Sequence, residues 1–86
     1  AHMPLKPLHD AIDNMIPLIP ETYELHDELV GKLELKKQES LDGIKTQKVL
    51  RKETDLILRQ YLGPIGTTPE NKLWVEEVTK AYYAQV

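Results

Sequence analysis

The feature that most restricts the fold is the spacing of apolar residues, which recur every three or four positions along almost the whole chain. This is the period of an α-helix with one buried face, whereas a half-buried strand alternates at every second position. The apolar stretches are separated by proline and glycine, which break helices. The sequence therefore predicts an all-α fold: a small bundle of three principal helices plus a short N-terminal helix.

The first helix is predicted to be short. One of its faces carries four apolar residues: Leu8, Ala11, Ile12 and Met15. Pro17 and Pro20 stop this helix, because the residue before a proline is pushed out of the α region. We therefore expect an extended elbow over residues 16–20. A second helix follows with Pro20 in its first turn, where Glu21 and Glu24 favour the positive end of the helix dipole.

The second helix is predicted to bury one arc and to show solvent an acidic face. Its apolar arc comprises Tyr23, Leu25, Leu29, Val30 and Leu33. Leu35 falls off this arc. The alternation over residues 33–36, followed by Asp42 and Gly43, leaves a short strand and turn open as an alternative.

The third helix is predicted to be the longest, running from residues 42–44 to Leu62. Asp42 or Ser40 is expected to cap its start, and the Gly63-Pro64 pair is expected to stop it.

Apolar residues occupy two sides of this third helix. Leu50, Ile57, Leu58 and Tyr61 lie on one side, and Val49 and Leu56 lie on an adjacent side. Because this sector is too wide for a single partner helix, the third helix is expected to sit at the centre of the bundle.

The fourth helix has the clearest start signal in the chain. Thr68, Pro69 and Glu70 supply an N-cap, a first-turn proline and a carboxylate near the helix dipole. Its apolar arc comprises Trp74, Val75, Val78, Ala81, Tyr82 and Val86. Leu73 and Tyr83 fall outside that arc.

Length and composition limit the class of protein. A chain of 86 residues supports one compact core, and we assign residues 1–3 to an expression-tag remnant and residues 4–86 to a single helical domain. The absence of cysteine excludes disulfides, Cys-ligated zinc and thiol nucleophiles. It favours an intracellular, cytoplasmic setting. The longest apolar run is too short and too rich in proline to cross a membrane.

No catalytic, metal or cofactor site is predicted. His9-Asp10 and His26-Asp27 resemble paired ligands of metal-dependent phosphohydrolases, but a dipeptide alone supplies too few ligands. Ser40 is the sole serine and lacks a nucleophile motif. The Gly63–Thr68 loop lacks the glycine spacing of phosphate-binding motifs. The sequence therefore predicts a protein that is not an enzyme.

Protein–protein interaction, including self-association, is the predicted function. It is favoured by elimination and by an excess of apolar helix surface. The candidate partner-binding residues are Val49, Leu56, Leu73 and Tyr83. The contact surface is expected where Val49 and Leu56 approach solvent-facing residues of the second or fourth helix.

The alternative function is contact with a nucleic acid or another polyanion through the third helix. Its candidate residues form a basic face: Lys45, Lys48, Arg51, Lys52 and Arg59. A net charge of −3 disfavours this alternative, and the basic face lacks interleaved aromatic residues for base stacking.

Overall fold

A computed structural model describes residues 8–84 of the chain. Four α-helices lie in this range: α1 (Leu8–Met15), α2 (His26–Asp42), α3 (Gln47–Leu62) and α4 (Lys72–Ala84). Residues 8–84 contain no strand, so the all-α bundle with a short first helix is confirmed. The alternative strand over residues 33–36 is wrong, because α2 runs through it. Val86 and the tag boundary lie outside the described residues.

The shortest helix, α1, forms the centre of the core. All four residues of its predicted stripe are completely buried: Leu8, Ala11, Ile12 and Met15. This helix packs along α2 and α4 and also contacts α3. The prediction that the third helix is central is therefore wrong. Instead, α3 packs most closely against α2, which leaves part of its wide apolar sector in solvent.

The elbow after α1 is more tightly coiled than predicted. Ile16–Leu18 forms one turn of 3-10 helix, and Ile19 after it is extended, with ψ of 118°. The side chain of Ile19 is buried in the core, whereas that of Leu18 is exposed. Pro17 lies in the first turn of this 3-10 helix, a position at which proline is tolerated because its missing N–H is not needed there.

The start of α2 lies later than predicted, at His26 rather than Pro20. Single turns precede it: the amide of Tyr23 donates to the carbonyl of Pro20, and that of His26 donates to the carbonyl of Tyr23, each at 3.0 Å. Tertiary contacts fix this segment. The ring of Tyr23 packs 5.0 Å from that of Trp74, and its hydroxyl donates to the carbonyl of Tyr61.

The end of α2 is set by Gly43, which has a φ of 70°. Its amide donates to the carbonyl of Glu39 at 3.2 Å. This left-handed conformation costs glycine little but strains a residue that carries a Cβ. The helix therefore continues to Asp42 and stops there.

The start of α3 is also displaced from its predicted position. This helix begins at Gln47 and is capped by Thr46, whose Oγ1 accepts a hydrogen bond from the amide of Val49 at 3.3 Å. The predicted cap at Asp42 or Ser40 is wrong, because both residues belong to α2. The predicted end at Leu62 is confirmed.

The predicted start of α4 holds in part. The amide of Lys72 donates to the carbonyl of Thr68 at 2.9 Å, so one α-turn precedes the regular helix. The hydroxyl of Thr68 donates to the carbonyl of Ile65 and accepts from the side-chain amide of Asn71. The core residues of α4 are Val75, Val78 and Tyr82. Trp74 is half-buried, and its indole N–H donates to Asn71 Oδ1 at 3.0 Å.

Candidate interaction surface

A groove between α2 and α3 carries two exposed leucines. Leu35 on α2 and Leu56 on α3 are each 60% exposed. Together with Ile57 they line a groove of about 280 Å³, whose polar lining residues are Lys32, Lys36 and Glu53. We call this feature the α2–α3 groove. Leu35 is exposed because α2 turns Leu29, Leu33 and Ser40 toward the core and Leu35 away from it.

An ion cluster ties α2 to α3 beside the α2–α3 groove. Lys36 Nζ lies 2.9 Å from Glu39 Oε1 and 3.2 Å from Glu53 Oε1. Lys45 Nζ lies 3.1 Å from Glu39 Oε2 and 3.1 Å from Glu53 Oε1. Two ammonium groups therefore face two carboxylates, and the cluster carries no net charge.

The cluster shifts the pKa values of Glu39, Glu53 and Lys45. Hydrogen bonds from Lys36 and then Lys45 lower the pKa of Glu39. Hydrogen bonds from Lys45 and then Lys36 lower the pKa of Glu53. In return, hydrogen bonds to Glu39 and Glu53 raise the pKa of Lys45. In these three residues the charged form is stabilised by hydrogen bonds to its neighbours.

Two further lysines border the groove. Lys32 lies three residues before Leu35, and Lys52 lies four residues before Leu56. Residues at these spacings are neighbours on a helix surface. Both lysines are exposed, and neither forms an ion pair with a residue in the range 8–84. The border of the groove is therefore positively charged on both helices.

Val49 extends the apolar surface along α3. It is 44% exposed and lies seven residues before Leu56. Seven residues are almost two helical turns, so the two side chains project to the same side about 10 Å apart. Of the two predicted residues, Leu56 shares the groove with a solvent-facing residue of the second helix, Leu35, whereas Val49 is not among the residues that line this groove.

Tyr83 lines a second cleft, between α3 and α4. This cleft has a volume of about 230 Å³, and its apolar lining residues include Leu58, Leu62 and Val75. The hydroxyl of Tyr83 donates to Asp55 Oδ1 at 2.9 Å, and that hydrogen bond raises the pKa of Tyr83. Although 53% exposed, Tyr83 already has an intramolecular partner.

Leu73 is separated from the other candidate residues. It is 71% exposed and lies on the side of α4 opposite Val75, Val78 and Tyr82. Glu76 and Glu77, three and four residues after Leu73, are its neighbours on the helix surface. The four residues predicted from sequence thus divide into three places: Val49 and Leu56 on one face, Tyr83 in the second cleft, and Leu73 alone.

The predicted basic face of the third helix is interrupted by ion pairs. Lys45 precedes α3 and belongs to the ion cluster. The Arg59 Nε lies 2.9 Å from Asp55 Oδ2. Arg51 is half-buried, and its carbonyl accepts from the hydroxyl of Tyr82 at 2.9 Å. Lys48 and Lys52 remain exposed, without an ion pair to any described residue.

The two His-Asp pairs lie far apart. His9 Nδ1 is 3.3 Å from Ser40 Oγ near the end of α2, whereas His26 is the first residue of α2. The 14 intervening steps at 1.5 Å rise correspond to about 20 Å. Within residues 8–84, no cluster of three or more His, Asp or Glu side chains has a geometry suited to a metal ion.

Ser40 takes part in a polar network that joins three helices. Gln47 Nε2 donates to Ser40 Oγ at 3.3 Å, and Gln47 Oε1 accepts from the amide of Leu8 at 3.0 Å. The side chain of Gln47 thereby satisfies one of the free amides at the start of α1. The role of Ser40 in the described structure is to link α1, α2 and α3.

Sequence reasoning missed the lysines and the ion cluster of the groove. Lys32 and Lys36 lie among acidic residues and read as an ordinary solvated helix face. The Lys36–Glu39 spacing of three residues was a usable signal. The contacts of Lys36 and Lys45 with Glu53 depend on how α2 and α3 pair, which no local pattern reveals.

None of the described helices is long and apolar enough to cross a membrane. Comparison of the chain with protein-family models, with curated proteins and with solved structures finds no match.

Proposed function

We propose that this chain is a protein–protein interaction module whose contact surface is the α2–α3 groove. The observation that carries the proposal is the pair of leucines, Leu35 and Leu56, that are each 60% exposed and flank one groove on neighbouring helices. Single exposed leucines are normal on protein surfaces, but adjacent ones that line a concavity are typical of binding sites.

The energetics require the interface to extend beyond these two leucines. Full burial of a leucine contributes about 1.5–3 kcal/mol, and association costs at least about 4 kcal/mol in lost freedom of motion. Ile57 lines the same groove, and the exposed Val49 lies about 10 Å further along α3; both add apolar area. In this proposal, Leu35 and Leu56 are the anchors, and the neighbouring residues complete the contact.

Two features weigh against the polyanion alternative. Lys45 and Arg59 are already paired with carboxylates, and Glu53 lies on the same helix near the basic face. Lys48 and Lys52 are the remaining exposed cations of that set. A polyanion contact therefore retains fewer charges than the sequence pattern suggests, and its affinity depends on how many phosphates are neutralised.

In this proposal the chain binds and does not catalyse. Glu53 in the α2–α3 groove and Tyr83 in the second cleft are already engaged in an ion pair and a hydrogen bond, respectively. A cytoplasmic setting is part of this proposal, because a chain without cysteine forms no disulfides and fits a reducing compartment.

The test compares Leu56→Gln with Leu73→Gln. Both changes replace an exposed helical leucine with the same polar residue, but only Leu56 lies in the groove. We expect both variants to keep the circular dichroism spectrum and melting temperature of the parent within a few degrees. We expect Leu56→Gln alone to weaken binding, by more than about 1 kcal/mol or fivefold.

The readouts are light scattering across concentration, for self-association, and quantitative affinity capture from cell extract, for other partners. Proteins retained by the parent and by Leu73→Gln but not by Leu56→Gln support the proposal. Equal retention by all three forms contradicts it. Salt-sensitive binding of a 20-base-pair DNA duplex that is lost on Lys48→Glu and Lys52→Glu substitution would favour the polyanion alternative.

A further inference from the structure

We infer that the occupant of the α2–α3 groove is an amphipathic helix with acidic residues flanking its apolar face. This inference rests on the proposed function and adds the chemistry of the partner. Its two supports are the helical geometry of the groove and the charge of its border.

The geometry of the groove fits a helix. Both walls are α-helices, and Val49 and Leu56 repeat at the seven-residue spacing with which one helix packs against another. An extended peptide binds most readily by adding a strand to a sheet edge, and residues 8–84 contain no strand. A helix laid along the groove can place apolar residues from successive turns against Leu35, Leu56 and Val49.

The border of the groove selects for negative charge. Lys32 and Lys52 each stand one turn from a leucine anchor and lack an ion pair with any described residue. Lys36 and Lys45 are balanced by Glu39 and Glu53. Two positive charges therefore remain beside the two leucines, where a partner carboxylate would meet them.

Acidic residues of α2 lie further along the groove. Glu28 lies four residues before Lys32, one turn away on the same helix, so it offsets part of the positive charge at that end of the groove. Asp42 lies seven residues after Leu35, about 10 Å along the helix, a distance at which its effect is screened at physiological salt. Asp42 also accepts a hydrogen bond from Gln38 Nε2 at 2.8 Å.

The same charges disfavour a second copy of the chain as the occupant. In a two-fold dimer built on this groove, the lysine-bordered face of one copy would meet the identical face of the other. Lys32 and Lys52 of each protomer would then repel those of its partner. An acidic helix replaces that repulsion with attraction.

The experiment selects helices from a display library. Each 18-residue library helix has leucine fixed at three positions spaced four and three residues apart, and the flanking positions vary among Glu, Lys and Ser. The targets are the parent, the groove variant Lys32→Glu/Lys52→Glu, the matched control Lys72→Glu/Lys80→Glu, and Leu56→Gln. Lys72 and Lys80 are exposed on α4, away from the groove.

We expect the parent and the Lys72→Glu/Lys80→Glu control to enrich Glu beside the leucines, and the groove variant to enrich Lys. Fluorescence anisotropy then measures the affinity of each protein form for one selected acidic helix and for the same helix with its Glu residues replaced by Lys. The groove variant should bind the acidic helix about tenfold more weakly than the parent and the lysine helix more tightly, because two attractions become two repulsions. Leu56→Gln should bind both helices more weakly than the parent does.

The outcomes separate this inference from the proposed function. Selected helices could bind the parent and lose affinity for Leu56→Gln, yet show no preference between Glu and Lys. That result would overturn the inference but leave the groove as the contact surface. Light scattering that shows a dimer dissociated by Leu56→Gln also overturns it, in favour of a second copy. If no library helix binds and Leu56→Gln changes nothing in the capture experiment, the proposed function itself fails.

Discussion

At the scale of single residues, Glu53 illustrates how one side chain changes the character of a surface. It lies on α3 near the cations that make that helix appear basic in sequence. In the structure it accepts hydrogen bonds from Lys36 at 3.2 Å and from Lys45 at 3.1 Å. Glu53 therefore joins α2, the following loop and α3.

The lowered pKa of Glu53 gives a prediction for acid stability. A carboxyl whose pKa is lower in the folded than in the unfolded chain stabilises the fold above the unfolded pKa, and that stabilisation is lost as pH falls through the folded pKa. We expect the urea concentration at the midpoint of unfolding to decrease as the pH is lowered below about 4.5. Glu53→Gln should make this decrease smaller. Glu77→Gln, an exposed carboxylate on α4, is the control. An equal flattening by both variants would contradict the role of the cluster.

At the scale of the helices, glycine has opposite effects at a helix end and in a helix interior. Gly43 ends α2 in a left-handed conformation with a φ of 70°. Gly31 lies within the same helix and is exposed. Apart from its chain neighbours and the helix backbone, no heavy atom lies within 4 Å of the position that a Cβ would take. The first glycine is required by the backbone, whereas the second weakens the helix without any contact that explains it.

This contrast predicts opposite effects for the same substitution. Gly31→Ala should raise the free energy of unfolding by about 0.5–1 kcal/mol, because alanine is the better helix former and restricts the unfolded chain. Gly43→Ala should lower it by about 1 kcal/mol, because the left-handed conformation strains a Cβ. Urea unfolding monitored by circular dichroism measures both. A gain in stability for Gly43→Ala would mean that α2 does not end in this conformation.

At the scale of the whole molecule, the bundle is organised around its shortest helix. The eight residues of α1 contribute four completely buried side chains and contact each of the other three helices. The polar link from Leu8 through Gln47 to Ser40 adds a hydrogen-bonded connection between α1, α2 and α3. Removing packing from α1 should therefore weaken the whole bundle and not one helix alone.

Ile12→Ala tests this cooperativity. A buried isoleucine replaced by alanine costs about 2–5 kcal/mol, which is a large part of the stability of a small domain. We expect circular dichroism and the fluorescence of the half-buried Trp74 to report one shared unfolding transition at a lower denaturant concentration. Leu73→Ala, on the exposed side of α4, should leave the midpoint almost unchanged. Separate transitions for the two signals would show that α1 is not common to one core.

Local patterns in the sequence were sufficient for the number and order of the α-helices. Helical spacing identified the fully buried stripe of α1, and the Gly63-Pro64 pair marked the end of α3. These features depend on the period of an α-helix and on the backbone preferences of proline and glycine, so neighbouring residues alone determine them. The two-sided apolar pattern of α3 also identified Val49 and Leu56 as residues that the bundle does not fully cover.

Tertiary structure decided which helix is central, where α2 and α3 begin, and which charges remain unpaired. The same helical spacing fits a central helix or a peripheral one, because periodicity gives the direction of a buried face and not its partner. Tyr23 contacts Trp74, and Glu53 contacts Lys36, only after segments distant in sequence have packed together. The juxtaposition of Leu35 with Leu56 has the same origin, since it follows from the pairing of α2 with α3.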